Sequence, residues 1–550
     1  MKIPFMKSKS KNRGGILGMV TRGFAAAQTD RLLAGWRYDG GFTPGEISLH
    51  LGTIRGRSRQ MAKDSPHFKR WLELCKINIV GPDGFALKST PHDTNQKGEL
   101  VLDEKAARFI EHHWWKFCNQ RDAVTGQTMF DGTGRKTASQ MDRLNIETQK
   151  RDGEYFIHVL RTDRNPYGIT FRVLRPDWCD HTLNTANTGR GTLIFCGVEM
   201  EIETRRPVAY WFHSAPDNPY ASRVYGKALQ SIPASQIIHG FTQHDEDQPR
   251  GIPESYAVLR KLAMLDQFDL AELTAARDEA CTVRTYEAQD GSDPEDFVDL
   301  THPDNSDAAN ALTAEKQPGQ SEVLPRGYKM EVHTPSHPNR EVVPFKAGML
   351  KDLASGLNVE YSNWANDWAG VSFSSVRVGT ISERDSWTTD QNQFIQQCKT
   401  PQFLYWMKSF LELSVSGQLP AYKFDKFSEH EYRGRRWMWV DPMKDMAASV
   451  IATDRKWKTN TDVSSDLGND YFDNIETMKR ESLAIAGDDK ESVPGLSGAQ
   501  ITAALVIMQS YASGEIGQES SIALLTAAGV PQEAAVNMVQ KQKVTEAENE

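Results

Sequence analysis

At 550 residues, with 25% charged and 39% hydrophobic residues, the chain has the make-up of a soluble globular protein too long for one core; roughly two to four domains are expected. A formal net charge of −9 argues against a protein that grips DNA tightly, and the longest apolar runs, such as 501–508, fall far short of a membrane span. The six cysteines (Cys75, Cys118, Cys179, Cys196, Cys281, Cys398) form no close pair, which suits a reducing compartment and excludes a zinc ribbon or a disulfide framework.

At the start, Lys2, Lys7, Lys9, Lys11 and Arg13 precede a short apolar stretch, 16–20, and then Arg22. The stretch is too short for a secretory signal. Residues 1–27 read as a flexible basic arm, either touching nucleic acid or a partner or simply a tail. Residues 45–80 read as helical, with Ile47, Leu51, Ile54 and Ser58 at three- and four-residue spacing, Arg55, Arg57 and Arg59 clustered, and Phe68, Trp71, Leu72 and Cys75 continuing the stripe. The stretch 104–118 is a second helix. Strands are predicted at 155–160, 169–174, 193–203 and 208–212, broken by Gly, Asn and Pro, so the fold class is α+β.

Pro253 sits where a first-turn proline belongs, and a long helix is predicted from there to about Arg284. Leu259, Leu262, Ala263, Leu270 and Leu273 share one arc, while Val258, Leu265 and Phe268 widen the apolar surface. Such a helix needs neighbours on more than one side. Asp266, inside the arc, is either a paired interface carboxylate or exposed. The polar stretch 287–322 reads as loop or linker, and 328–332 and 341–345 as two short strands.

The segment 353–387 reads as helix, loop, helix. Trp364 and Trp368, four apart, are expected on one helix face. Gly370 offers a stop, Ser372, Phe373, Ser374 and Ser375 form a short polar loop, and a second helix begins after Gly379 with Glu383, Arg384 and Asp385. Thr400-Pro401 reads as a cap and first-turn proline for a helix over 403–415 ended by Gly417. Helical hairpins close the chain: Ser497 with Gln500 fits a capping box, Gly514 and Gly529 are stops, and Pro531 opens the last helix.

No motif carries chemistry. Gly370-Val-Ser372-Phe-Ser374 lacks the final glycine that a nucleophile elbow requires. His239, His244 and Asp245 match no standard metal spacing and read as a solvated loop; His112 and His113 point about 100° apart on a helix and cannot chelate together. No phosphate-binding P-loop motif is present. Arg433, Arg435 and Arg436 beside Trp437 and Trp439 read as a basic turn before a buried strand rather than a nucleic-acid patch.

Several stretches, in order, carry a family resemblance: 49–64 with its arginine-rich turn, Asn78-Ile-Val-Gly81, Asp152-Gly-Glu154, Arg175-Pro176-Asp177, His239 with Gln248-Pro-Arg-Gly-Ile-Pro253, then Trp439-Val-Asp441-Pro442, Lys444, Thr461, Gly468 and Asp470. From about residue 28 to 545 the chain resembles lambda-type portal proteins of tailed bacteriophages. The resemblance implies a non-enzymatic portal fold with no cofactor and no metal: a ring, typically of twelve subunits, at one capsid vertex, assembled in the host cytoplasm and carried in the virion. Double-stranded DNA would pass through it. The large terminase subunit, the major capsid protein and head-completion or adaptor proteins would be its partners, with no membrane involved.

The implied layout is a β-rich wing at 28–253 and 380–487, stem helices at 254–285 and 346–368, a small clip at 286–345, a channel loop at 369–379 and a helical crown at 488–550. Ser372, Phe373, Ser374, Ser375 and Arg377 would line the channel; Leu259, Leu262, Leu270, Leu273, Trp364 and Trp368 would pack the stem. Arg377 has two open roles: touching DNA phosphates, or pairing with Glu383 or a neighbouring subunit. The competing readings are a DNA-processing hydrolase or protease of phage assembly, and a capsid-interior or tail scaffold that binds no DNA. The 60 C-terminal residues are too few for a fused protease domain.

Overall fold

The computed structural model describes residues 43–539 except 124, 214–228, 281–283, 289–327, 333–340, 414, 415, 418, 438–441, 470, 489–497, 513–515 and 533. The basic arm and most of the expected clip, 286–345, lie outside the described residues. Two compact units divide between Arg435 and Arg436, inside the stretch 380–487 expected as one part of the wing.

In the first unit, α1 (Pro44–Asp64) starts where the Thr43 hydroxyl accepts from Glu46 N and proline occupies the first turn. Its buried stripe is Ile47, Leu51, Arg55 and Ser58. Pro66 disfavours helix at Ser65, so α2 (Pro66–Cys75) is a separate helix, and it ends in a π turn at Lys76–Val80. Next come β1 (Ala86–Ser89), β2 (His92–Thr94), β3 (Leu100–Leu102), α3 (Glu104–Asn119) and α4 (Ala138–Asp152).

Two antiparallel sheets follow. One has the order β10-β4-β5, from β4 (Glu154–Arg161), β5 (Ile169–Leu174) and β10 (Ile237–Phe241). The other runs β6-β7-β8-β9, from β6 (Thr192–Phe195), β7 (Val198–Glu201), β8 (Pro207–His213) and β9 (Leu229–Pro233). The single strand expected over 193–203 is a hairpin, because Cys196 (φ 52°) and Gly197 (φ 79°) reverse the chain. Phe156, Leu174, Leu193, Val198, Tyr210 and Phe212 pack between the sheets.

The long helix expected from Pro253 begins later. A 3-10 turn (Glu254–Ala257) precedes α5 (Leu259–Ala280), which spans about 33 Å. Beyond it, β11 (Arg284–Ala288) pairs with β12 (Tyr328–Val332), the first of the two strands expected there. The second, 341–345, is instead the start of α6 (Val342–Gly356); Pro344 falls in its first turn, where its missing N–H costs nothing.

The helix–loop–helix reading of 353–387 changes in two places. After α7 (Tyr361–Ala365), Asn366 turns left-handed (φ 56°), so Trp368 is off the helix and does not share a face with Trp364. The polar stretch at Ser372 is a cap, not a loop. The Ser372 hydroxyl accepts from Ser375 N at 3.3 Å, and α8 runs from Phe373 to Phe394.

Thr400-Pro401 does not start a new helix. A π turn (Ile395–Lys399), in which Thr400 N donates to Ile395 O, joins α8 to α9 (Thr400–Glu412) without a break. Pro401 would leave the carbonyl four residues back unpaired and clashing, and the wider turn relieves this. The freed side chains are used. Gln397 accepts from Phe241 N at 3.1 Å and donates to Phe241 O at 3.0 Å, closing the end of β10. Trp406 and Phe410 of α9 stack (4.7 Å, 10°) within an aromatic cluster with Trp114, Phe117 and Tyr167. A short helix, α10 (Phe424–Phe427), and β13 (His430–Arg433) close the unit, with β13 paired to β1.

The second unit holds α11 (Pro442–Asp454), α12 (Asn460–Asp466), α13 (Tyr471–Asp488), α14 (Gly498–Ala512) and α15 (Gln518–Ala527). Ala504, Leu525, Val530, Ala535 and Val539 form its core, as helical hairpins would. Gly529 (φ 95°) follows α15 as expected; Ser497 and Gly514 lie outside the described residues.

Candidate functional site

Helices α5 and α6 pack against one another. Lys261 Nζ reaches Asp352 near the start of α5, and Lys346 Nζ reaches Asp269 further along at 2.7 Å, so the helices run antiparallel. Phe268 and Phe345 meet at 5.2 Å. At the near end the pair is rooted: Leu259, Leu262 and Leu265 of α5 and Leu350, Leu353 and Ala354 of α6 are buried.

One or two turns further out the same faces are bare. Leu262 is fully buried, but Leu270 and Leu273 are 67% and 69% exposed, and Val343 and Phe345 are 74% and 53% exposed. Leu259, Leu262, Leu270 and Leu273, expected together as stem packing, do share one face; its near half is covered and its far half is open. Val343 and Phe345 of α6 are also exposed, with Phe345 meeting Phe268, and were missed because alternating Val and Phe imitated a strand. Asp266 is half-buried between the two halves, where Ser65 Oγ donates to it at 3.4 Å and burial raises its carboxyl.

Trp364 is part of the root, not of the bare face. It is buried, donates from Nε1 to His67 O at 2.9 Å and lies 5.4 Å from the His67 ring. Trp368 is half-exposed in the turn beyond.

What holds the root is a buried ionic node. Glu154, with no solvent exposure, accepts from Arg250 Nε at 2.8 Å, from Gly251 N at 2.9 Å and from His239 Nε2 at 2.9 Å, and pairs with Arg55. Arg250 also donates to Cys196 O (2.6 Å), Cys179 O (3.2 Å) and Pro176 O (3.1 Å), and Arg55 to Asp152 O (2.7 Å). Burial pushes the Glu154 carboxyl up, but Arg250, Arg55 and the His239 bond outweigh it and hold it well below the usual carboxylate range. Burial lowers His239, which therefore stays neutral and donates through Nε2–H. His239 is thus a buried strand residue, not part of a solvated loop.

The backbone fits the node closely. Gly153 has φ +94°, and a Cβ there would lie 2.3 Å from Ile252 C; one on Gly251 would lie 2.1 Å from Gly153 O. Every segment quoted for the resemblance up to residue 253, except Asn78-Ile-Val-Gly81, sends a residue into this node. Beside it, Lys150 bridges Glu254 (2.5 Å) and Asp390 (2.9 Å), tying the entry to α5 to the last turns of α8.

The expected channel residues lie at the free start of α8. Its buried stripe, Glu383, Trp387, Gln391 and Phe394, begins only at Glu383. None of the described side chains from Ser372 to Ser382 is buried: Ser374 and Ser375 are exposed, while Val376, Arg377 and Thr380 are half-buried and Gly379 lies against Glu360; Phe373 belongs to the same turns. Arg377 is the one charged residue in that stretch. Glu383 is not placed to pair with it: six residues along one helix separate them by about 9 Å and 120°, and the Glu383 carboxylate accepts from Glu360 N and Asn363 Nδ2.

Among the described residues, no group of three His, Cys, Asp or Glu is placed to hold a metal ion, and no helix is long and apolar enough to cross a membrane. The Ser372 hydroxyl is engaged with Ser375, not with a base.

Residues 29–391 match the family model described as phage portal protein, lambda family. The probable portal protein of Halomonas phage phiHAP-1 is 29% identical over 82% of this chain and 85% of its own length. Portal protein B of Escherichia phage lambda is 22% identical over 80% and 85%. Among solved structures, the neck of a native GTA particle with C12 symmetry aligns with 75% of this chain and 93% of its own, at 10% identity and a TM-score of 0.40.

Proposed function

The chain belongs to the lambda family of phage portal proteins, and from that premise we propose that it assembles into a ring, of twelve subunits in the expected form, at one vertex of a capsid. The genome enters through the ring during packaging and leaves through it on infection. The ring acts as a conduit and docking platform, not as an enzyme. Its partners are double-stranded DNA, the large terminase subunit, the major capsid protein and head-completion proteins, and it is built in the host cytoplasm.

One observation carries this reading: the α5–α6 pair is anchored by a buried ionic node at one end and bears uncovered leucine, valine and phenylalanine at the other. An exposed apolar face of this kind marks a protein interface. A face that continues a covered one on the same helix suits packing against identical neighbours around a ring. In the proposed layout α5 and α6 are the stem, the segment between them the clip, the sheets the wing, and the C-terminal helices the crown.

The start of α8 is then the part that meets the channel. Small hydroxyl and aliphatic side chains with one cation give a passing polyanion little to hold. Twelve copies at −9 each would carry −108, which keeps phosphate contacts brief.

The double variant Leu270→Asp, Leu273→Asp tests the assignment. Both side chains are exposed in the single chain, so the fold should survive, with unchanged circular dichroism, while rings are lost to monomers in mass photometry. Rings that persist at wild-type abundance would remove the stem face from the interface.

A further inference from the structure

A cleft of about 630 Å³ lies where the last turns of α1 meet α2, α4 and the end of β5. Seven Lys or Arg and four Asp or Glu line it. The four carboxylates are already matched from within. Asp152 takes Arg59 in a fork at 2.8 and 2.9 Å, Glu73 and Glu147 share Lys76 at 2.8 and 3.0 Å, and Asp131 holds Lys136 at 2.9 Å. Arg151 also lies against Asp152 and Glu147. Lys63 in the last turn of α1, Lys69 in α2 and Arg175 just past β5 are left over. All three are exposed and have no partner among the described residues. In a chain of net charge −9 the cleft therefore carries a surplus of three positive charges.

An unmatched group of the other sign stands at the opposite end of α1. There Asp245, Glu246 and Asp247 form a turn, and Glu246 and Asp247 line the same hollow as Pro44. The turn is stiffened from within. Gln243 Nε2 donates to Asp245 O at 2.9 Å and to Glu246 O at 2.8 Å, and Gln248 Oε1 accepts from His244 N at 2.7 Å while its Nε2 donates to Arg250 O at 2.8 Å. Asp247 comes no nearer to Arg205 than 3.8 Å, and Glu246 is exposed with no side-chain partner among the described residues. At 1.5 Å per residue, Pro44 to Lys63 spans about 28 Å of helix, so the turn and the cleft cannot meet within one chain.

We propose that in the ring the acidic turn of one subunit, Asp245 to Asp247, seats in the basic cleft of the next, against Lys63, Lys69 and Arg175. The inference rests on the ring reading above, and the complementarity of two groups left unmatched in the single chain carries it. A ring is closed by a heterologous contact, in which two different patches of the chain face each other around the circle. Patches of opposite charge at the two ends of one rigid helix meet that requirement. Exposed ion pairs add little adhesion; they set register and the rate of association, while the apolar face of α5 supplies the adhesion.

The test uses the full chain, with rings counted by mass photometry at about 50 mM salt, where exposed charges are weakly screened. One variant carries Lys63→Glu and Lys69→Glu, the other Glu246→Lys and Asp247→Lys. Each alone brings like charges together and should lower ring yield roughly tenfold, with circular dichroism unchanged. Mixed in equal amounts, the two should form rings again. Reversed cleft then meets reversed turn at one contact and native cleft meets native turn at the next, so the chains alternate, as an even subunit number permits. Rings at wild-type yield from either variant alone would overturn the contact and leave the portal reading standing. Loss in both with no recovery on mixing would also overturn it and would show that the cleft serves another anion. A wild-type chain that makes no ring at all would remove the portal reading and this contact with it.

Discussion

Arg250 Nε lies 2.8 Å from Glu154 Oε1 and 3.0 Å from Oε2, and neither side chain is exposed to solvent. This pair joins α1, both sheets and the strand-to-helix passage into α5, because the guanidinium also reaches three backbone carbonyls. Taking such charges out of water is costly, and the cost is offset only while every partner is present.

Glu154→Gln should therefore be severe. It leaves the buried Arg55 and Arg250 guanidiniums without their counter-charge, and removing one partner of a buried pair typically costs about 3–5 kcal/mol. Thermal unfolding followed by circular dichroism would show a large drop in Tm, and an unchanged Tm would mean that the node does not hold the fold. Arg250→Lys should fail to rescue, since one ammonium cannot reproduce the fork that reaches Glu154 and the carbonyls of Pro176, Cys179 and Cys196.

Acid should weaken the fold in two stages. Burial lowers His67, His113, His158, His181 and His239 below the ordinary histidine value. A histidine lowered in the folded state adds stability above its unfolded pKa of about 6.5 and loses it as pH falls through the window between the two values. Glu154, also lowered, adds stability above about 4.3 that disappears only at lower pH. Tm should decline from pH 7 towards 5 and then fall further below 4. His239→Gln, which keeps a donor for Glu154, should flatten the first stage.

Two glycines should respond in opposite directions. At Gly153 a methyl would meet the Ile252 backbone, and φ is +94°. Gly153→Ala should cost well over about 1 kcal/mol, beyond the usual left-handed penalty. Gly56, within α1, has nothing within 4 Å of its would-be Cβ, so Gly56→Ala should stabilise by about 0.5–1 kcal/mol. Urea midpoints of the two variants on opposite sides of wild type would bear this out.

The free start of α8 should matter for DNA and not for assembly. Deleting residues 372–375 removes the cap and first turn but no buried side chain among those described, so rings should form while packaging or retention of the genome is impaired. Full heads at wild-type yield would show that this segment does not meet the channel. Ser372→Ala, which removes only the cap, should cost about 1 kcal/mol locally and give a milder version.

The legibility of the molecule follows the range of its interactions. The α1 stripe, α3, the strand at 169–174 and the α5 arc were readable because each obeys a short spacing. The node was not: Arg55, Glu154 and Arg250 are 54 to 196 residues from the groups they bind, and no periodicity links them. Their segments could only be recognised piecemeal, as fragments of a resemblance. Pro401 misled because a π turn lets a proline sit inside a continuous helix. Ser372 to Ser375 misled because small polar residues serve equally in loops and at caps. Trp368 misled because one left-handed asparagine ended α7 early. The bare half of the α5 face was foreshadowed by an apolar arc too wide for one neighbour, although only the fold separates Leu262, which is covered, from Leu270, which is not.

The most direct test of the portal assignment is the mass of the purified, unmodified protein under native conditions. Twelve chains of 61.8 kDa predict rings near 742 kDa, with a central opening in negative-stain images. A species that remains monomeric or dimeric at every concentration and salt tried would contradict the account.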